Sequence, residues 1–244
     1  MTSDQARRVR ANGFQAEEEF ASLISGRTRT SAKKKDVIDQ QNGVHSVKSG
    51  KKKWQIFLYT KQRFQQEIDF QGCELFIELI DSFPNSRENY VANKDKYKNI
   101  LKGRMVQLKD YLSRSNNKLI FFKKAFLNNG EVDYFTIKEG DVFHVFDGQE
   151  VIETIDNSTV LVNSKAKRRG EIDDQKVVFK LANSGVTIGE IEMRNDSPVH
   201  YRQVKFWMYK EKTLNLLKSK IRSERQKYHR VIAHGRAISK FRIL

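Results

Sequence analysis

The 244-residue chain is poor in several of the residue patterns that define common classes of site. It has one cysteine, Cys73, which excludes an intramolecular disulfide and a thiolate zinc cluster. Of the five histidines (His45, His144, His200, His229 and His234), only His229 and His234 lie close together in sequence, with no cysteine or carboxylate beside them, so the spacing of a histidine metal site is missing. No stretch approaches eighteen uninterrupted apolar residues, which excludes a membrane-spanning helix. The opening "MTSDQARRVRANGFQ" has no apolar core of the signal-peptide kind, so the expected compartment is the reducing cytoplasm. Internal repeats and low-complexity segments are also lacking.

What the chain has in excess is positive charge. Lys and Arg number 46 against 30 Asp and Glu, a formal net charge of +16. The last 35 residues hold eleven Lys or Arg against two Glu, a net +9 of that total. Such a field favours a polyanion, and with no amphipathic anchor for a membrane surface the expected partner is nucleic acid. Hydrophobic content of 38% with sixteen Phe supports a sizeable core, expected as one domain over residues 1–244 with 210–244 as a basic helical extension.

Periodicity predicts a helix over residues 12–25, closed by Gly26, with Gly13, Glu17, Phe20 and Ile24 on one stripe. A carboxylate on that stripe is out of place. Next come "DVID" and "GVHSVKSG", joined by "QQNG", whose Asn-Gly pair signals a β-hairpin. "KWQIFLY" reads as a third strand of the same sheet, residues 59–80 as partly helical, 94–114 as an amphipathic helix and "KLIFFKKAFL" as a strand. Residues 133–161 read as a β-rich meander with turns at "EGD" and "DGQ", 175–209 as two or three more strands, and the start of the tail as a helix carrying Leu214, Leu217 and Ile221. The expected class is mixed α+β with a central sheet.

In the second hairpin strand Val44, Ser46 and Lys48 fall on one face and His45 and Val47 on the other. Lys48 is thus a charge inside the alternation. A hairpin returning on itself can set Asp36, at the start of the first strand, opposite Lys48, with Glu17 covering that face. Hydrolysis of a phosphodiester needs such a convergence of carboxylates, which hold a hard divalent cation, and a lysine, which stabilises developing charge.

The pattern of Gly13 and Glu17 in "GFQAEEEF", Asp36 in "KKKDVID", and Ser46, Val47 and Lys48 in "HSVK" resembles the active site of PD-(D/E)XK nucleases, type II restriction endonucleases in particular. The resemblance implies a restriction-endonuclease-like central mixed β-sheet flanked by helices. It makes Asp36 the principal Mg2+ ligand, adds the Val47 carbonyl and Glu17 to the metal site, and gives Lys48 the attacking water. Two positions depart from the family: Lys35 replaces proline before the aspartate, and Ser46 stands where Asp or Glu is usual. Relatives with serine there recruit a helix glutamate, for which Glu17 is the first candidate and Glu67 the second.

The segment "EMRNDSPVHYRQVKF" is similar to late strands of small type II enzymes that approach DNA. Arg194, Asn195, Asp196, Arg202 and Gln203 are chemically apt to read base edges. "KKK" at 33–35 and 51–53 and "KRR" at 167–169 are candidate phosphate contacts. The expected function is Mg2+-dependent cleavage of double-stranded DNA at a short site, leaving 5′-phosphates, by a homodimer whose host carries a protecting DNA methyltransferase. The alternatives are a repair or junction-resolving nuclease, and a non-catalytic nucleic-acid-binding protein.

Overall fold

A computed structural model describes residues 3–28, 36–41, 43–67, 70–114, 116–166, 172–195, 197–225 and 230–241. In chain order the elements are α1 (Ser3–Leu23), β1 (Arg27–Thr28), β2 (Val37–Ile38), β3 (Val44–Lys48), β4 (Lys53–Tyr59), α2 (Lys61–Glu67), α3 (Cys73–Asp81), α4 (Arg87–Ala92) and α5 (Lys94–Leu112). There follow α6 (Asn117–Leu127), β5 (Tyr134–Glu139), β6 (Val142–Asp147), α7 (Gly148–Ser158), β7 (Thr159–Ser164), β8 (Lys176–Leu181) and β9 (Thr187–Arg194). A short 3-10 turn (Pro198–His200), β10 (Gln203–Tyr209), α8 (Lys210–Lys220), β11 (Ser223–Arg225), β12 (Val231–His234) and α9 (Ala237–Lys240) complete the chain. The class is mixed α and β, with two sheets flanked by helices. Among the described residues no helix is long and apolar enough to cross a membrane.

Two compact units are formed, one from Met1–Trp54, Phe122–Asn157 and Lys210–Leu244, the other from Gln55–Phe121 and Ser158–Tyr209. The first holds a seven-stranded sheet in the order β1-β2-β3-β5-β6-β12-β11. It is mixed: β3 runs parallel to β5 and β12 parallel to β6, while the other neighbours are antiparallel. One face of this sheet packs on α1 through Phe20, Ala21 and Ile24, against Val37, Val47 and Val145. Ile24 lies one turn beyond the adjacent pair Phe20 and Ala21, so the 3.6-residue period of the sequence becomes the buried face. The helix ends as expected near Gly26, whose N–H donates to the Ala21 carbonyl at 2.8 Å. Ser25 takes the left-handed φ of 51°, and glycine is required next to it because a Cβ at 26 would sit 2.6 Å from the Ile38 carbonyl oxygen.

The second unit is built around the sheet β4-β10-β9-β8-β7. Its core is aromatic: Phe76 stacks on Phe64 and Phe121, and Phe121 meets Phe206 at 5.2 Å between ring centroids. The amphipathic helix α5 buries Leu101, Met105, Leu108 and Leu112, at spacings of three and four residues.

Three expectations are corrected. "KWQIFLY" is a strand, but it lies in the second sheet, because β3 already has both of its edges filled by β2 and β5. "KLIFFKKAFL" is helix α6, not a strand: Phe121, Phe122, Ala125 and Phe126 recur at helical spacing and are all buried, with Lys123 exposed between them. In the meander the "DGQ" turn is instead a helix start. Asp147 accepts a hydrogen bond from the Glu150 N–H at 3.0 Å, capping α7, whose Val151, Ile152 and Ile155 are buried. The same residues form a D-x-x-E capping pattern, Asp147 to Glu150, which starts a helix rather than a turn.

Candidate active site

The hairpin forms where the Asn-Gly signal places it, with Val37 opposite His45 and Ile38 opposite Val44. One residue earlier, the Asp36 N–H donates to the His45 carbonyl at 3.0 Å, which carries the pairing to Asp36 and sets it beside Ser46. Asp36 Oδ2 accepts a hydrogen bond from the Val47 N–H at 2.7 Å and one from the Ser46 hydroxyl at 3.3 Å. Lys48 Nζ lies 3.6 Å from the same carboxylate oxygen and donates to Ser46 Oγ at 2.6 Å. It is also 3.4 Å from the Val47 carbonyl oxygen and 5.7 Å from the centre of the Phe135 ring. The serine therefore bridges lysine and aspartate: its oxygen accepts from one and its proton goes to the other.

Alternation along β3 explains the convergence. Ser46 and Lys48 share the face that carries Asp36, while Val47 turns its side chain into the core beneath α1. Glu17 stands one turn before Phe20 on α1 and is half-buried. Burial, and after it the negative charge of Asp36, push its carboxyl up to about 7, with Lys48 only partly offsetting them. The charges of Asp36 and Lys48 thus both act on Glu17.

Beneath the hairpin lies a brace that the sequence reading did not single out. His45 is fully buried, its Nδ1 3.0 Å from Thr136 Oγ1 and its Nε2 3.4 Å from Asp39 Oδ2. Asp39 also accepts from the Gln41 and Gly43 N–H groups at 2.8 Å each and so closes the turn. Burial holds the imidazole below its usual range, against the pull of Asp39. The visible signal was the aspartate four residues before glycine, an Asx-turn pattern. Its link to Thr136, 91 positions away, left no local trace.

The remaining candidates fall elsewhere. Glu67 ends α2 in the other unit, and its side chain lies outside the described residues, as do Asp196 and the basic runs at 33–35 and 167–169. Lys51, Lys52 and Lys53 are exposed just after Lys48. Arg194, Asn195, Arg202 and Gln203 belong to the second unit, where Arg194 pairs with Gln203 across the β9–β10 ladder. Asn195 donates to the Tyr90 hydroxyl at 2.7 Å, and Gln203 Oε1 is 3.2 Å from His200 Nδ1. Arg202, with a φ of 58°, bonds the Ile80 carbonyl at 3.3 Å, Asp81 at 2.9 Å, and Asn85. The histidines that meet are His144 and His234, 3.0 Å apart on the parallel pair β6 and β12, rather than the sequence neighbours His229 and His234, the first of which lies outside the described residues. Among the described residues no three His, Cys, Asp or Glu side chains gather as a metal-binding group. Compared with protein-family models, with curated proteins and with solved structures, the chain matches none.

Proposed function

We propose that the protein is a Mg2+-dependent DNA endonuclease of the type II restriction class, with its site at the start of the β2–β3 hairpin. The observation that carries this reading is the meeting of Asp36, Ser46 and Lys48 on one strand face, with the charge of Glu17 coupled to it.

The donor set fits a hard divalent cation. Magnesium needs only one or two carboxylates, its other positions going to water, carbonyl oxygen and phosphate. Asp36 and Glu17 supply the carboxylates and Val47 the carbonyl. Burial first, and the neighbouring charge of Asp36 second, disfavour the ionised Glu17 carboxyl, and a cation bound there would favour it. Bound there, magnesium would polarise a phosphate oxygen and lower the pKa of a water.

The chain's own groups do the rest. The Val47 N–H and the Ser46 hydroxyl hold Asp36 in one orientation. Ser46 likewise fixes Lys48, whose ammonium stands where it can orient a water and stabilise the charge developing on a phosphate. Glu17 can hold a proton near neutrality. Attack forms a bond from the water oxygen to phosphorus and breaks the bond from phosphorus to O3′, leaving a 5′-phosphate and a 3′-hydroxyl that has taken up a proton. The net +16 draws the DNA, with a strong dependence on salt.

The partner is double-stranded DNA, read by a homodimer, and its host requires a methyltransferase to protect its own sites. One observation favours a second reading. Asn195, Arg202 and Gln203 are engaged inside their own unit, which suits a repair or junction-resolving nuclease with little base readout.

Plasmid DNA with Mg2+ tests both. Discrete fragments that vanish with Asp36→Ala and with Lys48→Ala support the first reading. Structure-dependent nicking that vanishes in the same variants supports the second. DNA binding without cleavage under any metal or salt overturns both in favour of a non-catalytic binder.

A further inference from the structure

The five-stranded sheet of the second unit ends at β7, Thr159–Ser164, whose sequence T-V-L-V-N-S carries no charge and no proline. Natural edge strands are blunted by shortness, charge or proline, because their open N–H and C=O groups template further pairing. The edges of the other sheet follow that rule: β1 is two residues with Arg27, and β11 is three residues with Glu224 and Arg225. β7 does not. It is six residues long, with Val160 49% exposed and Leu161, Val162 and Asn163 half-buried.

Its open hydrogen bonds can be assigned. The carbonyls of Ser158 and Ser164 accept from Ala182 and Gln175, so the even-numbered residues turn their backbone toward β8. In an antiparallel strand the odd-numbered residues then turn theirs outward. The Thr159 carbonyl, which points out, is capped by Lys118 Nζ at 2.6 Å. The outward N–H and C=O of Leu161 and Asn163 have no partner among the described residues.

We infer that β7 is the pairing edge of a homodimer, joined antiparallel to the same strand of a second copy. The register follows from the groups that are open. Leu161 of each copy faces Asn163 of the other, giving four backbone hydrogen bonds, and Val162 meets its own counterpart on the two-fold axis. The Lys118 cap on Thr159 stops the ladder from extending further. A second copy is the occupant because the edge is uncharged and this register is self-complementary. The six residues of the strand carry no charge, and Lys118 beside its start is engaged by the Thr159 carbonyl, so two chains of +16 approach best along the strand itself. The inference stands apart from the nuclease reading, since it uses no residue of the proposed site.

The test is oligomeric state without DNA, by light scattering across concentration and salt. The expected result is a mass that rises with concentration toward twice 28.6 kDa, and does so more readily in high salt as repulsion is screened. Leu161→Pro removes an outward N–H and no bond to β8, so it is expected to fold, as checked by circular dichroism, and to stay monomeric. Val162→Lys places a charge on the axis and gives the same loss of dimer by an independent route. In a Cys73→Ser background, Val162→Cys is expected to cross-link to itself on mild oxidation, because residues paired there bring their Cα atoms to about 4.5 Å. Val160→Cys, which faces Ser164 of the other copy, is not. A constant mass of 28.6 kDa overturns the inference, as does a dimer that survives both Leu161→Pro and Val162→Lys, or faster cross-linking at 160 than at 162. A monomer that cleaves DNA overturns the edge pairing and the homodimer of the nuclease reading but not its chemistry, and a dimer that never cleaves overturns the nuclease reading alone.

Discussion

Both units set lysines among carboxylates on strand faces, and they handle them differently. In the second unit Lys176 Nζ lies 2.6 Å from Glu190 and 3.2 Å from Glu192, and Lys205 Nζ is 3.9 Å from Glu192. Two lysines there answer two glutamates across the β8–β9–β10 ladder. On the β2–β3 hairpin one lysine, Lys48, answers two carboxylates, Asp36 and Glu17. Burial works against the charge of Lys176, but its glutamates outweigh it and raise the ammonium above its usual range. Beside the hairpin the half-buried carboxyl of Glu17 on α1 is pushed up instead, by burial and then by Asp36. A lysine inside a strand is therefore no sign of chemistry. What sets the hairpin lysine apart is the raised carboxyl of Glu17 near it.

The largest expected effect separates the two faces by activity. Asp36→Ala lowers DNA cleavage by on the order of 10²–10³-fold or more, whereas Lys176→Met leaves cleavage per folded molecule unchanged. Cleavage lost equally in both would erase the distinction.

Stability separates them in the opposite sense. Lys176→Met strands two part-buried glutamates and is expected to cost about 2–3 kcal/mol in urea unfolding. That contribution is fully present below the ordinary lysine value of 10.5 and is lost only as pH climbs through the raised one.

Ser46→Asp restores the carboxylate usual in the resembled family at a residue only 1% exposed. It adds a third negative charge to the unbalanced face, so in Mg2+-free buffer near neutrality it is expected to destabilise by about 2 kcal/mol. Added Mg2+ recovers more stability in this variant than in the parent, read as a shift in melting temperature. No Mg2+ effect in either protein would argue against a cation at this face.

The smallest effect is a titration. Glu17 is protonated in both folded and unfolded states below its ordinary value of 4.5 and stays protonated in the fold up to about 7. The fold therefore loses stability between those values as pH rises, and Glu17→Gln removes that loss. The variant is expected to match the parent at low pH and to gain about 1 kcal/mol above pH 7 without Mg2+, once solvent screening of a half-buried group is allowed for. Thermal melts across pH measure it, and equal profiles would place Glu17 outside the coupled set.

Much of the hairpin could be read in advance. An Asn-Gly turn between two β-prone runs, an apolar stripe interrupted by Glu17, and a lysine in phase with Ser46 are local patterns, and the chain geometry turns each into a position. Asp36 reached Ser46 and Lys48 because ten residues of hairpin leave little choice of register. Arg202 shows the limit. Its side chain was a fair candidate for guanine by type, yet it is spent on Asp81, Asn85 and Ile80, which lie about 120 positions away in the chain.

By itself the sequence determined the charge, the helical and strand periods, the hairpin and the residues that share its face, since all of these follow from spacing along one stretch of chain. Only the tertiary structure decided that β5 rather than β4 lies beside β3, and that His144 meets His234. It also decided that Phe121 and Phe122 belong to a helix, and that β7 is left as an open edge. Each of these depends on which distant segment fills a neighbouring place. That competition is settled by burial and by the satisfaction of backbone hydrogen bonds over the whole fold, and no local pattern records it.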